Sequence, residues 1–80
     1  MFQFEDLNIL ICDDSITNVL CFTKIIESEI SVNVIGITDP RKVKKLLAEQ
    51  TIDLILLDLE MPHLSGFEVM AEVRKDYKID

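Results

Sequence analysis

Three aspartates carry the chemistry this sequence can do. Asp58 closes an apolar run, Ile52-Asp53-Leu54-Ile55-Leu56-Leu57, and Asp13-Asp14 closes another, Asn8-Ile9-Leu10-Ile11-Cys12. If both runs are strands lying side by side and parallel, three carboxyl groups meet at one edge of a sheet. Like charges at close range repel and burial raises carboxyl pKa values, so such a cluster persists only around a cation. Hard oxygen donors suit Mg²⁺. A divalent ion beside a carboxylate is equipment for phosphoryl transfer.

The elements that must position these acids alternate in kind. Leu7 to Cys12 is an unbroken apolar strand, the pattern of burial on both faces. From Ser15, a suitable N-cap, the period changes: Ile16, Val19, Leu20, Thr23, Ile26 and Ile30 recur at helical spacing. Val32 to Thr38 is rich in β-branched residues and reads as a second strand. Asp39-Pro40 opens a second helix, Asp as N-cap and Pro at the first helical position. Val43, Leu46 and Leu47 form its inner face, while Lys42, Lys44, Lys45 and Glu49 face water. Ile52 to Leu57 is the third strand. After a loop over Glu60–Ser65, a third helix begins near Gly66, with Phe67, Met70, Val73 and Tyr77 as its inner stripe.

The order β-α-β-α-β-α implies parallel pairing through right-handed crossovers, with helices on both faces of one sheet. Ligands of open α/β sheets sit at the carboxyl ends of the strands, near the point where the winding reverses. Asp13, Asp14 and Asp58 all fall at carboxyl ends. Strands one and three as neighbours would put the reversal between them.

Composition limits the function. The chain has 80 residues, 49% of them apolar, and a net charge of −7. Eighty residues make at most one small domain, which buries only about 60–65% of its unfolded surface. The negative charge argues against a nucleic-acid surface, which needs clustered cations. The basic residues, Arg41, Lys42, Lys44 and Lys45, then Arg74, Lys75 and Lys78, read as solvated helix faces. No apolar run approaches the ~18 residues of a membrane span. The first residues, Met1 to Asp6, lack a basic region followed by an apolar stretch, so no secretory signal is expected. Cys12 and Cys21 have too few partners for a zinc site and read as small core or half-buried residues. Reduced cysteines imply a cytoplasmic setting.

Taken together, two stretches resemble the receiver domain of two-component response regulators. The first is Ile9-Leu10-Ile11-Cys12-Asp13-Asp14-Ser15, with Asn18 shortly after. The second is Asp53-Leu54-Ile55-Leu56-Leu57-Asp58-Leu59-Glu60-Met61-Pro62, continuing to Ser65-Gly66-Phe67-Glu68. The acidic pair, the strand-terminal Asp, Met-Pro after it and Gly66 eight residues after it are jointly specific. The resemblance implies a flavodoxin-like doubly wound parallel sheet with full strand order 2-1-3-4-5. Residues 1–80 would hold its N-terminal three β-α units, the second part of the domain being absent. No residue can take the roles of the strand-four Ser or Thr or of the strand-five Lys; Ser65 and Lys75 lie in the wrong segments.

By the same resemblance, Asp58 is the phosphoacceptor, attacking phosphohistidine to give an acyl phosphate. Asp14 is the direct Mg²⁺ ligand, Asp13 holds a metal-bound water, and Asp58 and the backbone carbonyl of Glu60 complete the metal set. The partner is a histidine kinase or phosphotransfer protein. Pro62 and Gly66 shape the loop after Asp58. Asn18 either faces the site or is an ordinary helix residue, and His63 is assigned no role. Helix N-capping is the alternative use of Asp13 and Asp14.

Two other readings stay open. One is a small Asp-nucleophile phosphohydrolase, suggested by Asp58-Leu59-Glu60, although that family places its nucleophile at the first strand. The other is a truncated receiver competent only for oligomerisation or interaction. Its warrant is the third strand, apolar like a central strand yet left at an edge, which favours a homodimer or strand-exchanged oligomer.

Overall fold

The computed structural model describes residues 7–58 and 65–76. The positions named above at Glu60, Pro62, His63 and Tyr77 lie outside the described residues. Three parallel strands, β1 (Asn8–Cys12), β2 (Asn33–Ile37) and β3 (Leu54–Leu57), form one sheet in the order β2-β1-β3. The helices are α1 (Ile16–Glu29), α2 (Val43–Glu49) and α3 (Gly66–Asp76). This is the doubly wound arrangement expected from the alternating pattern.

β1 is central because it is apolar on both faces. Ile9 and Ile11 share one face and form a buried cluster with Val19 of α1. Leu10 and Cys12 point to the other face and pack with Val43 of α2 and with Val69 and Val73 of α3. The register is continuous: Ile9 lies between Val34 and Leu54, and Ile11 between Gly36 and Leu56. Where α1 crosses the sheet, Gly36 leaves room for Val19; a Cβ at that position would collide with Val19 Cγ1.

Local signals set the helix starts. The Ser15 hydroxyl accepts from Asn18 N–H at 3.3 Å, and the Ser65 hydroxyl from Glu68 N–H at 3.2 Å. Asp39 accepts from Arg41 N–H at 3.0 Å and from its guanidinium at 2.9 and 3.0 Å. That cap opens a 3-10 turn at Pro40–Lys42, and α2 proper begins only at Val43. This corrects the expectation of a helix from Pro40: the short cap and the Pro tighten the first turn.

Three side-chain expectations are also corrected. Phe67 is 70% exposed, and the inner face of α3 runs through Val69 and Val73. The helix is rotated so that the smaller β-branched residues fit against Leu10 and Cys12. Cys21 is exposed, whereas Cys12 is buried as expected. Of the residues at helical spacing in α1, only Val19 is fully buried; Ile16, Leu20 and Ile30 are exposed. The helix lies over the β1–β2 half of the sheet and packs on it through Val19 and Ile26.

Candidate functional site

Backbone pairing places the acids. Asp13 N–H donates to the Ile37 carbonyl at 3.2 Å, so β2 holds the chain one residue beyond β1. Asp58 N–H donates to the Cys12 carbonyl at 2.9 Å, so β1 holds the chain one residue beyond β3. The three carboxylates therefore emerge at the carboxyl ends of neighbouring strands, at the winding reversal. One oxygen from each of Asp13, Asp14 and Asp58 lies within 4.8 Å of the others. The juxtaposition expected from the sequence is present.

The three acids differ in setting. Asp13 is buried, and both of its oxygens are engaged: Oδ1 accepts from Ser15 N–H at 2.9 Å and Oδ2 from the Asn18 amide at 3.2 Å. Asp14 is exposed and Asp58 half-buried. The Asp14 carboxyl is held above the ordinary value. Lost hydration is the main cause, followed by a hydrogen bond with the Asp13 carboxyl and the charges of Asp58 and Asp13. A cation between these oxygens would remove that repulsion.

Asn18 belongs to the site through Asp13. Its amide and the Ser15 N–H fix the Asp13 carboxylate, and the Ser15 hydroxyl rather than an aspartate caps α1. Spacing alone left Asn18 undecided, because whether its amide reaches Asp13 depends on the entry angle of the helix.

Next to the acids lies an open cavity of about 600 Å³, lined by Ile11, Cys12, Asp13, Phe22, Leu56, Leu57 and Asp58. Phe22 is the lining residue that sequence reading missed; it sits off the inner stripe of α1 and no motif includes it. Cys12 contributes no nucleophile. Burial, then the charges of Asp39, Asp13, Asp58 and Asp14, push its thiol up to about 11. Among the described residues, the site thus offers hard oxygen ligands and a half-buried carboxylate beside an apolar wall.

A family model of the response regulator receiver domain matches residues 9–79. The chain belongs to this family. It is 36% identical over 72 residues to stress response regulator protein 1 of Candida albicans (strain SC5314), covering 89% of this chain and 26% of that protein. It is 35% identical over 70 residues to the CAI-1 autoinducer sensor kinase/phosphatase CqsS of Vibrio cholerae, covering 88% of this chain and 10% of that protein. The chain thus spans about a quarter or less of the length of these curated relatives.

Solved receivers share the fold. Vibrio cholerae chemotaxis protein CheY4 superposes with a TM-score of 0.80 at 26% identity, over 88% of this chain and 57% of that chain. The crystal structure of histidine kinase ThkA in complex with response regulator protein TrrA contains a match with a TM-score of 0.83 at 29% identity. It covers 91% of this chain and 62% of that chain. This chain is accordingly a receiver domain of the two-component type, a family of regulatory domains. Among the described residues no helix is long and apolar enough to cross a membrane.

Proposed function

We propose that this receiver accepts a phosphoryl group on Asp58 from a histidine kinase or phosphotransfer protein. The observation that carries the reading is the placement of Asp58 within 4.8 Å of the Asp13 and Asp14 oxygens, at the carboxyl end of β3. An Asp58 oxygen attacks phosphorus of a phosphohistidine. The P–N bond breaks, the imidazole leaves with its electron pair, and an acyl phosphate forms.

Asp13, Asp14, Asp58 and the backbone carbonyl of Glu60 would hold Mg²⁺, which supplies charge neutralisation for the incoming anionic phosphoryl group. Asp13 is pinned by Ser15 and Asn18, so it enters the site already oriented. Asp14 relaxes toward ordinary acidity when a cation offsets its neighbours. The match to a receiver crystallised with a histidine kinase supports a kinase as donor. The family's regulatory character supports a phosphoacceptor rather than a hydrolase with turnover. We place the domain in the cytoplasm, where kinase and donor act.

Incubation with acetyl phosphate and Mg²⁺, read by intact mass, tests the assignment. The expected result is one phosphoryl adduct on the wild-type chain and none on Asp58→Asn. An adduct that survives Asp58→Asn would overturn it, as would a wild-type chain that binds Mg²⁺ and takes no phosphoryl group.

A further inference from the structure

Ser15 caps α1, so Ile16, Thr17 and Asn18 are its first helical residues. The third position of a helix has a customary use: a Glu or Gln there reaches back to the N–H of the cap. The helix dipole also favours an acid in the first turn. α1 has no acidic residue there. The Ser15 N–H is already taken, because it donates to Asp13 Oδ1 at 2.9 Å. The side chain at the third position is thus released from capping and supplies a donor instead. The Asn18 amide donates to Asp13 Oδ2 at 3.2 Å.

The residue type matters to Asp13. Its carboxylate lies buried beside those of Asp14 and Asp58. An acid in place of Asn18 would add a fourth like charge to the cluster. A Lys or Arg would satisfy Asp13 with a positive charge of its own and so compete with a bound cation. A neutral amide donor does neither. Its orientation follows from the same chemistry, since turning the amide oxygen to Asp13 would set two acceptors against each other.

We propose that Asn18 is a positioning residue of the metal site, setting its affinity for Mg²⁺ through Asp13; this rests on the reading of Asp13, Asp14 and Asp58 as that site. The Ser15 N–H is a backbone donor, fixed by the turn into the helix, and it holds one oxygen only. Rotation about the Cβ–Cγ bond of Asp13 then stays open, and the Asn18 amide restricts it. Each carboxylate oxygen has two lone pairs, so both keep one for a cation or for its water. Donation to Oδ2 also draws charge from that oxygen, which opposes cation binding. At 3.2 Å, the long end of the N–H···O range, the withdrawal is weak and orientation prevails.

Mg²⁺ titration of the chain by calorimetry, paired with urea unfolding without metal, tests this. Asn18→Leu keeps the size of the side chain and removes the donor. Leucine is the better helix former, so the first turn itself does not suffer. Mg²⁺ affinity should fall ~10-fold, while metal-free helix content and unfolding midpoint stay near wild type. Thr17→Leu, exposed in the same turn, should bind as wild type does. Asn18→Gln keeps an amide donor and should recover part of the loss. The inference is overturned by Asn18→Leu binding as tightly as wild type, by Asn18→Leu and Thr17→Leu weakened alike, or by Asn18→Gln no better than Asn18→Leu. A wild-type chain that binds no Mg²⁺ would instead overturn the metal site itself, and the inference with it.

Discussion

At the scale of single residues, the cluster behaves as three unlike acids. Asp14 is held above its ordinary value, so the folded chain binds a proton there more readily than the unfolded one. Stability therefore falls as pH rises past the ordinary value of 3.8 through the raised one. Asp39 has the opposite sign. Hydrogen bonds from the Arg41 side chain and backbone pull it down to about 2, so its contribution is present above 3.8 and lost as pH falls toward 2. Thermal melts should show Asp14→Asn more stable than wild type at neutral pH without divalent ions. Mg²⁺ should raise the wild-type Tm and raise that of Asp14→Asn less. Asp39→Asn should flatten the acid limb between about pH 4 and about pH 2. Cysteine labelling offers an independent check: Cys21 should react at once in native buffer, and Cys12 only after unfolding, since its thiol is buried and held near 11.

At the scale of elements, strands were easier to read than helix faces. The three strands appear within the apolar and β-branched runs of the sequence, β1 most plainly because it is buried on both faces and needs no periodicity to betray it. Helix rotation was harder. In α3, Phe67 and Val69 lie on nearly opposite sides of the helix, so only one can face the sheet, and it is Val69 that packs with Val73 on Leu10 and Cys12. In α1, the crossing over β2 depends on Gly36. Gly36→Ala should cost ~1–3 kcal/mol in urea unfolding, because Val19 is fixed in the core and cannot give way freely. Ser15→Ala removes the cap of α1 and should cost ~0.5–2 kcal/mol.

At the scale of the whole molecule, the described residues leave Ile16, Leu20, Phe22 and Ile25 of α1 exposed outside the two clusters. Mg²⁺ held between the three carboxylates would add to stability by mass action, so Tm should rise with Mg²⁺ concentration. Scanning calorimetry over a hundredfold range of Mg²⁺ reads this directly, and the dependence should weaken in Asp13→Asn.

The sequence by itself determined the strand–helix alternation, the parallel sheet and the acids at its carboxyl edge. These follow from local polarity, capping residues and the handedness of crossovers, all written along the chain. Tertiary structure alone decided which side chain of each helix turns inward, that Asn18 holds Asp13, and that Phe22 walls the cavity. Each depends on how two elements far apart in sequence meet, and packing shape settles that only once both are in place.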